Sequence, residues 1–274
     1  MAEQVSQKAW VVAIPSYKRA ETLRDKTLRV LTEYNIDPRV IDIFVASEEE
    51  KKHYLSVVDT KLFGRIIVGE VGIKNQRNFM ALFYPEGQKI FYIDDDISEI
   101  QECLGATKAE QKLYRLTNLI DLINEGFELL EKHKYSNWGV YPVQNPFFMK
   151  TRETSQFTTT KLCYIIGFMT GVINSHEAEV RTVDDKEDFE RSIKYYLKDG
   201  GLIRFNNITC KTKCYKEKGG MQIERTKERI HESAVKIVND YPELAKLNLS
   251  KKSKKTEIRL RDTRLQPLQL WNFF

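Results

Sequence analysis

Short apolar runs recur along the first hundred positions, each closed by a turn residue and followed by a charged stretch of helical period. WVVAIPS (10–16) reads as a buried parallel strand, because a strand covered on both faces has no polar side to alternate with. In YKRAETLRDKTLRVLTEYNI (17–36), Leu23, Leu28 and Leu31 stand among charges, the mark of an amphipathic helix that Asp37-Pro38 then ends. VIDIFVAS (40–47) and GRIIVGE (64–70) predict two further strands, EEEKKHYLSVV (48–58) and KNQRNFMALFY (74–84) two further helices. QKIFYIDDDI (88–97) is a fourth strand that stops in three aspartates. This β-α-β-α-β-α-β order predicts an α/β fold with a mostly parallel sheet flanked by helices.

Beyond residue 100, LYRLTNLIDLINEGFELLEKHK (113–134) repeats apolar residues at helical spacing. NWGVYPV (137–143) and KLCYIIGFMTGVIN (161–174) read as buried strands, with 144–160 between them a surface loop over a site. DKEDFERSIKYYLKDG (185–200) predicts a helix ended by Gly200-Gly201. LIRFNNITCKTKCY (202–215) predicts one long strand or a pair, and 222–240 a last helix. With no repeat and no long linker, the expectation is one domain over 1–245 and a basic extension over 246–274.

Net charge is a modest +5, but 246–264 is rich in Lys and Arg, with Glu257 and Asp262 its acids. Such a run can follow a phosphate backbone or simply be a solvated face. Cys210 and Cys214 form a C-x3-C pair with no second pair to complete a zinc site, so free thiols are expected. No apolar run is long enough to span a bilayer and the N-terminus lacks a basic-then-apolar leader pattern, so a cytoplasmic protein without membrane association is expected.

Asp94, Asp95 and Asp96 carry the most pointed chemistry. Ligands of open α/β sheets bind beyond the carboxyl ends of the strands, and three adjacent carboxylates there repel one another unless a cation or donors intervene. Mg²⁺ or Mn²⁺ supplies that compensation while bridging phosphates. On an extended chain Asp94 and Asp96 share a side and would hold the metal, Asp96 foremost, while Asp95 points to a ribose hydroxyl or a structural donor. An acidic turn or helix cap is the plainer alternative. Upstream, Gly72 lets backbone approach a ligand, and the helix after it aims its amides at an anion. Arg77 and Asn78 add a charge and an amide there, or else form a surface ion pair and a cap.

The blocks IPSYKRAETL, IFVASEEEKKHY, VGIKNQRNFM and FYIDDDI, in that order, resemble the TET-associated glycosyltransferases of bacteriophages, and more broadly glycosyltransferases of the nucleotide-sugar-binding GT-A fold. The resemblance covers residues 10–100 well and 160–221 more loosely. It implies transfer of a sugar from a nucleotide-diphosphate sugar, most simply a UDP-sugar, to 5-hydroxymethylpyrimidine, most simply 5-hydroxymethylcytosine, in double-stranded phage DNA, with Mn²⁺ or Mg²⁺. A glycan, lipid or protein acceptor on the same fold, or a non-catalytic nucleotide-sugar or nucleic-acid binding protein, are the alternatives. Location would then be the infected host's cytoplasm. It also implies that Pro15, Ser16, Tyr17 and Arg19 meet the nucleotide, with core packing open for Tyr17 and a solvated helix start for Arg19. Glu48 would meet base or ribose, or cap a helix. Glu187-Asp188 resembles the acidic pair of inverting members, with Asp188 the base for the acceptor hydroxyl. First-turn acids that complement a helix dipole are the alternative. Arg191, one turn on, would pair with Asp188 or the diphosphate. Gly219 and Gly220 resemble a glycine pair that closes over the diphosphate, and Gly171 a small residue flooring the sugar site; a turn and a strand bulge are the respective alternatives. His176 is an ordinary surface histidine or an approach to the metal.

Overall fold

The computed structural model describes residues 10–154, 157–212, 220, 226–248 and 256–264. Strand β1 (Trp10–Pro15) buries Val12, Ala13 and Ile14 completely, as its unbroken apolar run requires. The helix that follows is continuous in three pieces: α1 (Ala20–Leu23), a π-helical turn (Arg24–Leu28) and α2 (Arg29–Glu33). Leu23, Leu28 and Leu31 are buried. Single π turns inside helices commonly mark functional positions. This one carries Thr27, whose hydroxyl donates to the Asp94 carbonyl at 2.7 Å and accepts from the Ile97 amide at 3.0 Å. The aspartate segment is thereby tied to the first helix.

The alternation continues through β2 (Ile41–Val45), α3 (Glu48–Val57), β3 (Arg65–Val68), α4 (Ile73–Phe83) and β4 (Lys89–Ile93). Next come β5 (Glu99–Leu104), β6 (Lys112–Arg115), α5 (Leu119–His133), β7 (Asn137–Val140), β8 (Thr158–Thr159) and β9 (Met169–Ile173). The chain then forms α6 (His176–Glu179), α7 (Glu187–Asp199), β10 (Ile203–Phe205), β11 (Ile208–Lys211), α8 (Lys227–Asp240), β12 (Ala245–Asn248) and β13 (Glu257–Leu260).

The main sheet has the order β3-β2-β1-β4-β9-β7-β10-β8. The first four strands run parallel, and β9 lies antiparallel between β4 and β7. One apolar cluster, around Val12, Phe91 and Trp138, packs against one face, and another, around Phe44, Tyr92 and Tyr195, against the other. Because β1 pairs with β2 on one side and β4 on the other, the strand order reverses there, and a crevice opens at the carboxyl ends of β1 and β4. β5, β6 and β11 form a second, antiparallel sheet and β12–β13 a hairpin.

Several expectations are corrected. The helix foreseen over 113–134 is strand β6 followed by α5, because Asn118 caps the helix through the Ile120 and Asp121 amides and so fixes its start. Only 169–173 of the strand foreseen over 161–174 is extended; the stretch before it lines the crevice instead. Residues 202–211 are two strands in different sheets. Of the expected thiols, Cys103 and Cys163 are free and buried, Cys210 is buried with its Sγ 3.4 Å from Met169 Sδ, and Cys214 lies outside the described residues.

The boundary foreseen at residue 245 falls inside the fold. Ala245 begins β12, and both Ala245 and Ile258 belong to the buried core, so the described part of 246–264 is built into the domain. Residues 249–255 and 265–274 of the basic stretch lie outside the described residues. Among the described residues no helix is long and apolar enough to cross a membrane.

Candidate active site

A cavity of about 790 Å³ opens at the switch point, within the range of roughly 300–1,000 Å³ usual for small-molecule sites. The ends of β1 and β4, the start of α4, the start of α7 and the β12–β13 hairpin all contribute to its wall.

At the β1 end, the Ser16 hydroxyl donates to Asp95 Oδ2 at 2.6 Å and lies 2.7 Å from the Tyr54 hydroxyl. Arg19 Nη1 donates to Asp95 Oδ1 at 3.1 Å and stands 3.9 Å from Asp96 Oδ2. Burial pushes the Asp95 carboxyl up to about 7, against the pull of Arg19 and Ser16. On the other side, Arg77 Nη2 donates to Asp94 Oδ1 at 2.6 Å. The strand ends at Ile93, so the expected alternation, with Asp94 and Asp96 together and Asp95 apart, does not describe the arrangement. Asp95 and Asp96 share Arg19 while Asp94 is held by Arg77, because the backbone turns as soon as the strand pairing stops.

Helix α4 begins at Gly72, whose φ of 92° lies where a side chain is strained. The helix start faces the cavity through Gly72, Ile73, Gln76 and Arg77, presenting amides of the kind that bind anions. Arg77 is 3% exposed, and its Nε and Nη1 have no hydrogen-bond partner among the described residues. Asn78 is not in the cavity wall. Its amide clamps the main chain of Arg181, accepting from its N–H at 2.7 Å and donating to its carbonyl at 3.0 Å. The expected role at the donor is therefore corrected: both ends of the side chain are committed to joining α4 to the segment before α7.

Helix α7 starts from Lys186, whose φ of 62° is left-handed and whose Nζ donates to Glu257 Oε2 at 2.7 Å. Glu187 and Asp188 follow in the first turn and have opposite surroundings. Glu187 Oε2 accepts from Arg181 Nε at 3.0 Å, and its Oε1 is 4.0 Å from Arg77 Nε. Burial alone would raise its carboxyl, but Arg181, then Arg77 and Arg191, overcome it and hold it at about 2. For Asp188, burial and then the Glu187 charge raise the carboxyl, only partly offset by the Tyr164 hydroxyl that donates to Oδ2 and by Arg191 and Lys186. The two adjacent carboxyls are thus pushed in opposite directions, Glu187 down by its arginines and Asp188 up by burial.

Pro15, Ser16, Tyr17, Arg19, Gly72, Arg77, Asp94, Asp95, Asp96, Glu187, Asp188 and Gly220 thus share one cavity wall. Gly220 donates its amide to the Tyr17 carbonyl at 3.1 Å with φ 65°, and a Cβ there would stand 2.7 Å from the Arg19 guanidinium carbon. Gly219 lies outside the described residues. Gly171 does not floor the site: it sits in β9 between Phe91 and Trp138, where a Cβ would meet the indole at 2.0 Å, so the glycine serves ring packing. Glu48 is in the first turn of α3, which Ser47 caps, and His176 bonds the Tyr84 carbonyl through Nε2 at 2.9 Å; neither lines the cavity. Arg191 is buried, without a hydrogen-bond partner for Nε or Nη2 among the described residues.

Sequence reading missed Tyr164, Arg181 and Glu257. Tyr164 stacks on Phe189 with ring centres 4.0 Å apart, which aims its hydroxyl at Asp188. No local signal marks any of the three, since each acts on a partner brought near by the fold.

Among the described residues no three His, Cys, Asp or Glu side chains stand ready to hold a metal by themselves. Asp94 and Asp96 are nevertheless two carboxylates in the cavity wall that also holds the start of α4, oxygen donors of the kind that Mg²⁺ and Mn²⁺ take together with phosphate oxygens and water.

The eight-stranded, mostly parallel sheet flanked by helices, with its reversal at β1, matches the fold of a solved glycosyltransferase. The mannosyltransferase PcManGT from Pyrobaculum calidifontis, solved with GDP-Man and Mn²⁺, is similar with a TM-score of 0.53 and 12% identity over 85% of this chain and 63% of that one. S. aureus TarS 1–349 matches with a TM-score of 0.44 and 13% identity over 84% of this chain and 65% of that one. Its complex with UDP gives 0.41 and 12% over 84% and 65%. This chain therefore spans a little under two thirds of those chains' length, and the likeness to the mannosyltransferase, at 12% identity, is one of fold alone. No protein-family model matches the sequence, and no curated protein matches it.

Proposed function

We propose that the protein is a glycosyltransferase that moves a sugar from a nucleotide-diphosphate sugar to an acceptor hydroxyl, with Asp188 as the base. The observation that carries this reading is the split between neighbours, Glu187 held down by arginines and Asp188 raised by burial, in the same cavity as the three aspartates beyond β4. Pro15 and Tyr17 would bound the nucleoside, and the Gly72 end of α4 would receive the diphosphate. A divalent ion, Mn²⁺ or Mg²⁺, held by Asp96 and Asp94 would supply charge compensation to the departing diphosphate.

In the transfer, Asp188 takes the proton of the acceptor hydroxyl as its oxygen forms a bond to the anomeric carbon. The bond from that carbon to the phosphate oxygen breaks, and the nucleoside diphosphate leaves with the electron pair. A single displacement of this kind inverts the anomeric configuration. Tyr164 orients the Asp188 carboxylate, and Arg19 fixes Asp95 against Ser16.

For the finer identity, the resemblance to the phage TET-associated family supports a UDP-sugar donor and a 5-hydroxymethylpyrimidine of DNA as acceptor. A second reading, a neutral glycan acceptor on the same fold, is favoured by the cavity wall, where carboxylates outnumber cations and so repel a polyphosphate backbone. Incubation with Mn²⁺, a panel of UDP- and GDP-sugars, and either hydroxymethylcytosine DNA or neutral oligosaccharides separates the two by mass of the products. A product mass increased by one sugar on digested nucleosides supports the first. Release of no nucleoside diphosphate from any donor, with either acceptor, overturns the transferase reading.

A further inference from the structure

We infer that Arg181 is a positioning residue of the transfer step: it hydrogen-bonds the Glu187 carboxylate, which also faces the Arg77 charge at 4.0 Å, so that the first turn of α7 presents Asp188 at a set place relative to Asp94. This inference rests on the proposed transferase function and adds a residue that does not line the cavity.

The argument starts from an unbroken line of alternating charges. Glu179 Oε2 accepts from Arg181 Nη1 at 2.6 Å, and Arg181 Nε donates to Glu187 Oε2 at 3.0 Å. Glu187 Oε1 lies 4.0 Å from Arg77 Nε, and Arg77 Nη2 donates to Asp94 Oδ1 at 2.6 Å. The line joins α6, the loop before α7, α7, α4 and the end of β4. Side-chain exposures are 0% for Glu179, 1% for Arg181, 11% for Glu187 and 3% for Arg77, rising to 34% only at Asp94, where the line meets the cavity.

Buried ion pairs of this kind are weak sources of stability, because desolvation offsets most of their attraction and apolar replacements often do as well. Their geometry is what apolar residues would lack. The Arg181 guanidinium donates to Glu179 through Nη1 and to Glu187 through Nε, and its own backbone is held at both N–H and C=O by Asn78. Arg77 and Asn78, adjacent in α4, thus fix Asp94 with one side chain and Arg181 with the next. A shift of the start of α7 relative to the aspartates would break the Arg181–Glu187 hydrogen bond or widen the 4.0 Å separation of Glu187 and Arg77. Other charged or titratable groups that act on Glu187 and Asp188 are Arg191, Lys186 and Tyr164, all from α7, its N-cap or the loop before β9.

The test is a double-mutant cycle on donor turnover, with water as acceptor, in the full chain with Mn²⁺ and UDP-glucose or GDP-mannose as probes. Arg181→Met is expected to lower kcat about tenfold or more while the donor KM changes by about twofold or less, since the donor does not touch Arg181. In a Glu187→Gln background, the same substitution should cost only about twofold, because contacting residues that act through one another are non-additive. Arg181→Lys keeps the charge but not the planar fork, and should fall between wild type and Arg181→Met. If Arg181→Met fails to fold by thermal melting, the Arg181→Lys and Glu187→Gln arms carry the same comparison. An equal loss in both backgrounds, or a loss confined to KM, with an active wild type, overturns this inference and leaves the transferase reading standing. A wild type that turns over neither donor, and transfers to no acceptor offered, overturns that reading and this inference with it.

Discussion

Arg77 Nη2 stands 2.6 Å from Asp94 Oδ1, joining a helix-start arginine that is 3% exposed to the first aspartate beyond β4. The two are 17 residues apart in the chain, and the contact exists because α4 crosses back over the sheet beside β1. It gives the aspartate cluster one fixed cation on its α4 side, as Arg19 does on the other.

Arg77→Met should therefore leave Asp94 uncompensated. Removing one partner of a buried pair costs about 3–5 kcal/mol, and the 34% exposure of Asp94 places the effect at the low end, about 3 kcal/mol. Urea melts measure it. Adding Asp94→Asn should recover part of the loss, and a double variant as unstable as the sum of the singles would contradict the pairing.

Asp188→Asn should retain donor binding and lose turnover. Loss of a general base typically costs about 10²–10⁴ in rate. Isothermal titration with the nucleotide sugar and initial rates together check it, and a variant with full kcat removes Asp188 from the mechanism.

The pH profile supplies a third test. A base works only when deprotonated, and burial and Glu187 raise Asp188, so the acidic limb of kcat should lie above the ordinary carboxylate range. The Tyr164 hydroxyl favours the charged form, so Tyr164→Phe raises Asp188 further and moves that limb to higher pH. Glu187→Gln removes a neighbouring negative charge and moves it to lower pH. Opposite or absent shifts would assign the limb to another group.

Asp96→Ala should abolish the Mn²⁺ dependence of donor binding. Of the three aspartates it has the most distant cation partner, Arg19 at 3.9 Å, which leaves it best placed to serve an ion. Asp95→Asn should instead disturb the Ser16–Arg19 junction and show as a lower melting temperature. Titration of the nucleotide sugar with and without chelator distinguishes them.

Truncation after Leu244 should unfold the domain rather than merely weaken nucleic-acid binding, because β12 and β13 supply Ala245 and Ile258 to the core. Ile258→Ala in the full chain should cost about 2–4 kcal/mol, the range for removing a buried branched side chain. Thermal melting reads both.

Much of the frame was legible from residues 10–97, where WVVAIP, IDIFV and KIFYI are each long enough and apolar enough to be buried parallel strands. Strand order and right-handed crossovers then leave one crevice for ligands, so Asp94–Asp96 at the end of β4 had to face it. The glycine at residue 72 and the acids opening α7 were legible for the same reason, since helix starts announce themselves locally.

What only the tertiary structure decided was the division of labour among those groups. Asp94, Asp95 and Asp96 are chemically identical, and their cations come from different places, Arg77 from α4 and Arg19 from the residue that precedes α1. The carboxyls of Glu187 and Asp188, neighbours in the chain, are pushed apart because arginines hold the first down while burial and the Glu187 charge raise the second. Asn78 turned out to hold Arg181, and Gly171 to make room for Trp138. Sequence determined where carboxylates gather, because secondary structure follows local periodicity. The ionisation of each depends on burial and on charges within a few ångströms, and those neighbours are brought together only by the folded chain.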